Sequence, residues 1–244
     1  MKLSISLVST IALVFVFSVS SIVLALPVSA ASPNPRIVQF TSGYASGGSD
    51  TSVSLTFQKP VTKGDFIVVC AGIVSGNAVT ITTGSIVDSR SVNFVPLASV
   101  GTTGLSTFAK IWYGTLPSSG PENFVLSYNS GPAALFGYEI SGLGIAVNEF
   151  QHSTGSDSGV NTTGSHVARY SPDPGSLVIA CGGFFTLEGV GTVTAGPGYK
   201  LDQTFTANNA AEHVSGFTGT STTSPFVFGQ TETYWSEVSA SIAT

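Results

Sequence analysis

The chain has 244 residues, of which only 9% are charged and 42% hydrophobic, with 28 Gly, 16 Phe and two Cys. That much apolar side chain excludes a disordered chain, which lacks the hydrophobic content needed to offset ordering entropy. The formal net charge is −5, and the basic residues after Lys2 (Arg36, Lys59, Lys63, Arg90, Lys110, Arg169, Lys200) stand singly, which excludes the clustered cations a nucleic-acid backbone requires.

Met1-Lys2 precede an apolar run over residues 3–26, and Pro27-Val28-Ser29-Ala30-Ala31 follows. The small residues at 28 and 30 fit a cleavage site, so 1–31 reads as a secretory signal peptide. The alternative is an uncleaved anchor, since about 20 apolar residues span a bilayer; only then is a membrane a partner. The expectation is a body over 32–244, a single domain that is secreted or held at the cell surface.

Along that body the pattern has period two, rich in β-branched and aromatic residues and broken by Gly, Pro, Asn and Ser at short intervals. Strands are predicted near 36–41, 51–58, 65–74, 78–82, 93–100, 106–114, 122–129, 134–141, 146–151, 165–170, 176–184, 190–195, 199–206, 211–217, 225–229 and 233–242. In 52–57, Val53, Leu55 and Phe57 alternate with hydroxyl residues, as in a half-buried strand. The runs 66–71 and 177–181 do not alternate, which suits central strands covered on both faces. The polar stretch 153–164 reads as a long surface loop of one domain, or as the hinge if the body is two. The predicted class is all-β, a two-sheet antiparallel β-sandwich of jelly-roll-like topology.

Two segments echo one another at an offset of 111 residues: a tight turn at 62–65 or 172–176 precedes an apolar strand carrying Cys70 or Cys181. Two halves of one jelly roll would give this echo, and so would convergence on one turn-strand pattern. In an oxidising compartment Cys70 and Cys181 form a candidate disulfide; otherwise they are two buried thiols.

The ordered motifs Val53-Ser54-Leu55-Thr56-Phe57, Val61-Thr62-Lys63-Gly64-Asp65, Val87-Asp88-Ser89 with Asn93-Phe94, Ile111-Trp112-Tyr113, Glu139-Ile140-Ser141-Gly142-Leu143 and Gly175-Ser176-Leu177-Val178 resemble a widespread, mostly uncharacterised domain of exported and surface proteins of bacteria and archaea. The resemblance covers about 37–242. It implies a jelly-roll-like sandwich that serves as an accessory part of adhesins, glycan-active enzymes or cell-surface fibres, with no catalytic residues. Where the commoner pattern reads Asp-Ser-x-Gly-Asn, this chain has Asp88-Ser89-Arg90-Ser91-Val92-Asn93, which alters the turn and puts a role for Asp88 in doubt.

Catalytic signatures are missing. No Gly-x-Ser-x-Gly occurs, and His152, His166 and His213 lack metal-binding spacing, although His152 and His166 flank one loop and form a candidate metal pair. Among Glu139, Glu149, Glu188, Glu212, Glu232 and Glu237 no two carboxyls share a strand face at i, i+2; cross-strand pairs stay open. Glu139 is read either as half-buried with a raised pKa, or as facing solvent or a lone base.

The expected role is therefore a non-catalytic structural or adhesive module; residues 32–41 either donate a strand to a neighbouring copy in self-association or form an ordinary first strand of their own domain. The alternative is carbohydrate binding. Trp112-Tyr113 and Tyr234-Trp235 must each point one ring outward, which makes all four candidate ligand-binding residues. No cofactor is expected beyond a structural calcium ion, and Asn161 in Asn161-Thr162-Thr163 is a candidate glycosylation acceptor.

Overall fold

The computed structural model describes residues 34–75, 86–101, 106–141, 146–157, 162–163, 167–168, 174–186, 192–205, 209–218, 226–228 and 233–243. The expected leader, the strand near 78–82, His166 and Asn161 lie outside the described residues.

All regular elements among the described residues are strands, so the predicted all-β class holds. The first half contains β1 (Arg36–Ala45), β2 (Ser52–Thr56), β3 (Phe66–Ser75), β4 (Val87–Asp88), β5 (Val95–Gly101), β6 (Ser106–Thr115), β7 (Asn123–Ser127) and β8 (Ala133–Ser141). The second contains β9 (Ala146–Asp157), β10 (Thr162–Thr163), β11 (Val167–Ala168), β12 (Leu177–Thr186), β13 (Val193–Ala195), β14 (Lys200–Phe205), β15 (Asn209–Val214), β16 (Phe226–Phe228) and β17 (Thr233–Ala243).

Strand order shows what the sequence echo meant. In the first half a five-stranded sheet β1-β8-β3-β6-β5 faces a three-stranded sheet β2-β7-β4. In the second, β9-β17-β12-β15-β14 faces β10-β16-β13, and β11 is added outside β9. Aligning Cys70 with Cys181 superimposes the two orders strand for strand. Each is a jelly-roll arrangement in which the fifth strand pairs with the sixth. The expected echo thus joins two whole eight-strand sandwiches, not two Greek keys of one.

The match extends to single residues. Gly64 and Gly175 both turn the chain into the Cys-bearing strand at φ of 89° and 90°, a left-handed conformation that glycine adopts without a Cβ clash. Each donates its N–H to the far strand's exit, to Leu116 O at 3.0 Å and Phe217 O at 3.1 Å. A bulge interrupts β5 between Pro96 and Ala98 and β14 between Leu201 and Gln203, at the same place in both halves. Bulges bend and blunt edge strands that would otherwise offer open ladders.

Three apolar layers hold the stack together. Val53, Leu55, Phe57, Trp112 and Phe124 fill the first sandwich, and Val178, Phe184, Phe226 and Trp235 fill the second. Between the two five-stranded sheets lie Val68, Ile111, Phe136, Ile179, Val238 and Ile242. The large sheets are therefore covered on both faces, which is why β3 and β8 read as nearly unbroken apolar runs. β2 has one covered face, and its Ser and Thr residues are exposed between buried Val53 and Leu55.

At the middle of this seam Cys70 and Cys181 are joined in a disulfide, with Cα atoms 6.2 Å apart. Beside it the backbones run close together: a Cβ on Gly183 would lie 2.6 Å from Ile73 O, and one on Gly72 would collide with Gly182 O. Further along, the Thr107 and Ser236 hydroxyls meet at 2.7 Å across the seam.

One expectation is corrected. The stretch 153–164 is not loop throughout, because β9 runs to Asp157 and pairs with β17 from Ser153 onward; the ladder bonds are backbone bonds and tolerate polar composition. Residues 36–45 form β1, which pairs with β8 of the same chain from Arg36↔Ser141 to Ala45↔Ala133, as an ordinary first strand does. The whole span Ser32–Thr244 packs as one compact unit.

Candidate functional site

The chemistry concentrates on the outer face of the second large sheet. On β15, alternation turns Ala210, Glu212 and Val214 toward the second sandwich core; on β17 it turns Trp235 and Glu237 the same way. Between them runs β12, with Ala180 opposite Glu212 and Gly182 opposite Glu237. These two small residues leave the space above β12 to the carboxyls from either side. A Cβ on Gly182 would fall 2.6 Å from both the Phe184 ring and Ser236 O.

Glu212 and Glu237 are fully buried, at 0% exposure. Burial pushes Glu212 up to about 10; the Gly196 N–H on Oε2 at 3.2 Å opposes this, and the negative charges of Glu237 and Asp202 add to it. Its other oxygen, Oε1, has no hydrogen-bond partner, and neither has the Tyr199 hydroxyl. Tyr199 is buried, and its phenol is raised well above its ordinary range by burial first, then by Glu212 and Glu237. Glu212 is thus uncharged at neutral pH.

Tyr199 also lines an open cleft of about 330 Å³ with Pro197, Val214, Ser215, Phe217 and Thr218. No side chain of this lining is charged.

The positions that carry these acids are apolar in the other half. Cys70 pairs with Ile111 and Cys181 with Ala211, so Trp112 and Glu212, one residue further on, are equivalent. Cys70 also pairs with Phe136 and Cys181 with Val238, which makes Leu135 and Glu237 equivalent.

A second polar cluster lies at the seam. Asp202, the extra residue of the β14 bulge, accepts the Tyr138 hydroxyl at 2.8 Å and lies 2.8 Å from His213 Nδ1. Tyr138 comes from the first half and its partners from the second, so the trio ties the halves together. Stacked rings of Tyr44 and Phe205, 4.7 Å apart, cover the same region.

Glu139 proves buried, accepting Thr62 N–H at 2.7 Å and Gln39 Nε2 at 2.6 Å. The raised acid there is its neighbour Asp65, pushed up to about 6 by burial, then by the charge of Glu139 and a hydrogen bond to it. Asp88 has a structural role: its Oδ1 accepts the N–H groups of Arg90 and Val92 at 2.8 and 2.9 Å and holds the altered turn. Ser91 there has a φ of 59°, where the commoner pattern places glycine.

Of the candidate aromatic residues, the two tryptophans are the inward rings of their pairs. Trp112 and Trp235 are buried, at 1% and 3% exposure, because each large sheet is covered on both faces and neither side is outward. Tyr113 packs against the seam core; the Tyr234 side chain lies outside the described residues. His152 sits on β9 opposite Val167 and Val238. Among the described residues no three of His, Cys, Asp and Glu gather as a metal site, and no helix is long and apolar enough to cross a membrane.

The sequence does not pair Glu212 with Glu237, since they stand on strands that meet only through β12. The available signal was their phase: each falls on the apolar face of its strand, beside Ala210 and Trp235. No family model, curated protein or solved structure matches the chain.

Proposed function

We propose that the protein is a non-catalytic extracytoplasmic module with a structural or adhesive role, built as two jelly-roll sandwiches clamped back to back. The observation that supports this is the Cys70–Cys181 bridge at the centre of the buried seam, since such a bond persists in oxidising compartments and is rare in the cytosol. A cross-braced body poor in charge suits an exposed, load-bearing part better than a site that must open and close. The test is fractionation of the native cells with thiol alkylation and mass spectrometry. Recovery outside the cytoplasm with both cysteines protected supports the reading, and cytosolic protein with alkylatable thiols overturns it.

A second reading, carbohydrate contact, rests on the cleft beside Tyr199. Its exposed Ser215 and Thr218 hydroxyls and lack of charge fit a neutral sugar, which bonds through hydroxyls. Retention on a polysaccharide panel that Thr218→Trp abolishes would favour it; no retention on any member would remove it.

A further inference from the structure

The second half buries two carboxyls where the first half buries Trp112 and Leu135. A buried carboxylate needs a counter-charge or a set of donors; without them it is retained as the neutral acid. Around Glu212 the described facing groups are these. β12 presents Val178, Ala180 and Phe184, β13 presents Val193, and β16 presents Phe226. β14 presents Leu201, and the segment before it contributes Tyr199 and the Gly196 N–H. The titratable groups acting on Glu212 are Glu237 and Asp202, both acids. Lys200, the base nearest in sequence on β14, is exposed. No described basic side chain hydrogen-bonds or ion-pairs with Glu212.

We infer that the second sandwich closes over Glu212 in a proton-bearing state, so that its folding is linked to proton uptake and the first sandwich's is not at that position. A proton is thus the ligand of this chamber, and raising the pH withdraws it. Opening the cover formed by β10, β13 and β16 would let Glu212 ionise in water. If the extracytoplasmic reading above holds, the linkage suits a protein that works in an acidic exterior; that clause alone rests on localisation.

The sign follows from the raised folded-state value. For Glu212 the contribution is complete below its ordinary 4.5 and is lost as pH rises toward about 10. Asp65 has the same sign but acts only between 3.8 and about 6, below a window that starts at pH 6.5.

The experiment is thermal unfolding of the purified protein between pH 6.5 and 9, with Glu212→Gln and Glu237→Gln alongside. Tm of the native protein is expected to fall by about 3 to 5 °C per pH unit. Glu212→Gln, which keeps the shape and removes the charge, is expected to raise Tm at pH 8 and flatten the slope. Infrared spectroscopy gives a second reading that needs no stability change: a protonated-carboxyl band at pH 7 that Glu212→Gln weakens. A slope unaltered by either substitution, or no such band, overturns the inference. So does a rise of Tm at pH 8 on adding millimolar calcium that requires both glutamates, since the pair would then be a cation site. Because the readout is made on purified protein, it stands or falls separately from the fractionation result.

Discussion

The two halves of this protein share strand order, turn glycines and bulge position, yet they fill the space under their small sheets differently. In the first half Trp112 and Leu135 occupy the centre; in the second, Glu212 and Glu237 stand there with Tyr199 beside them. One topology thus supports an apolar core held by dispersion and area burial and a core that holds Glu212 as a neutral acid. The scaffold does not set the chemistry of its interior; the side chains at two equivalent pairs of positions do.

Cutting the tie between the halves should have the largest effect. Replacing both cysteines with serine opens a link with a separation of 111 residues, and the chain-entropy relation gives a loss of about 4–5 kcal/mol, read by denaturant unfolding. The comparison itself is tested next. Leu135→Ala should cost about 2–5 kcal/mol through the cavity it leaves. Its counterpart, Glu237→Gln, should be neutral or stabilising at pH 8, and equal losses at the two sites would erase the distinction.

The bulge offers a third contrast, because Leu97 in the first half stands where Asp202 stands in the second. Asp202→Leu should cost about 1–3 kcal/mol, since the buried Tyr138 hydroxyl loses its acceptor. The smallest effect is expected at the altered turn. Ser91→Gly should stabilise by up to about 1 kcal/mol, relieving a left-handed conformation that costs a side-chain residue energy.

Much of this fold was legible. Alternation at 52–57, the unbroken runs at 66–71 and 177–181 and the 111-residue echo all reflect backbone periodicity, which is a local property. What escaped was set by neighbours distant in sequence. One ring of Trp112-Tyr113 reads as outward because a strand pattern does not reveal that a second sheet covers its other side, against which Tyr113 packs. Residues 153–157 read as loop because their partner, β17, lies some 80 residues further on. Glu212 and Glu237 stayed separate because their meeting depends on the register of both strands against β12. Asp202 gave no signal at all, since a bulge is invisible until the strands are paired.

The contrast between the halves is tested most directly by amide hydrogen exchange, with protection factors compared at pH 6.5 and 8.5. The result expected is that β12, β15 and β17 lose protection as pH rises while β3, β6 and β8 keep theirs. Protection that falls in step across both sets of strands, or in neither, would contradict it.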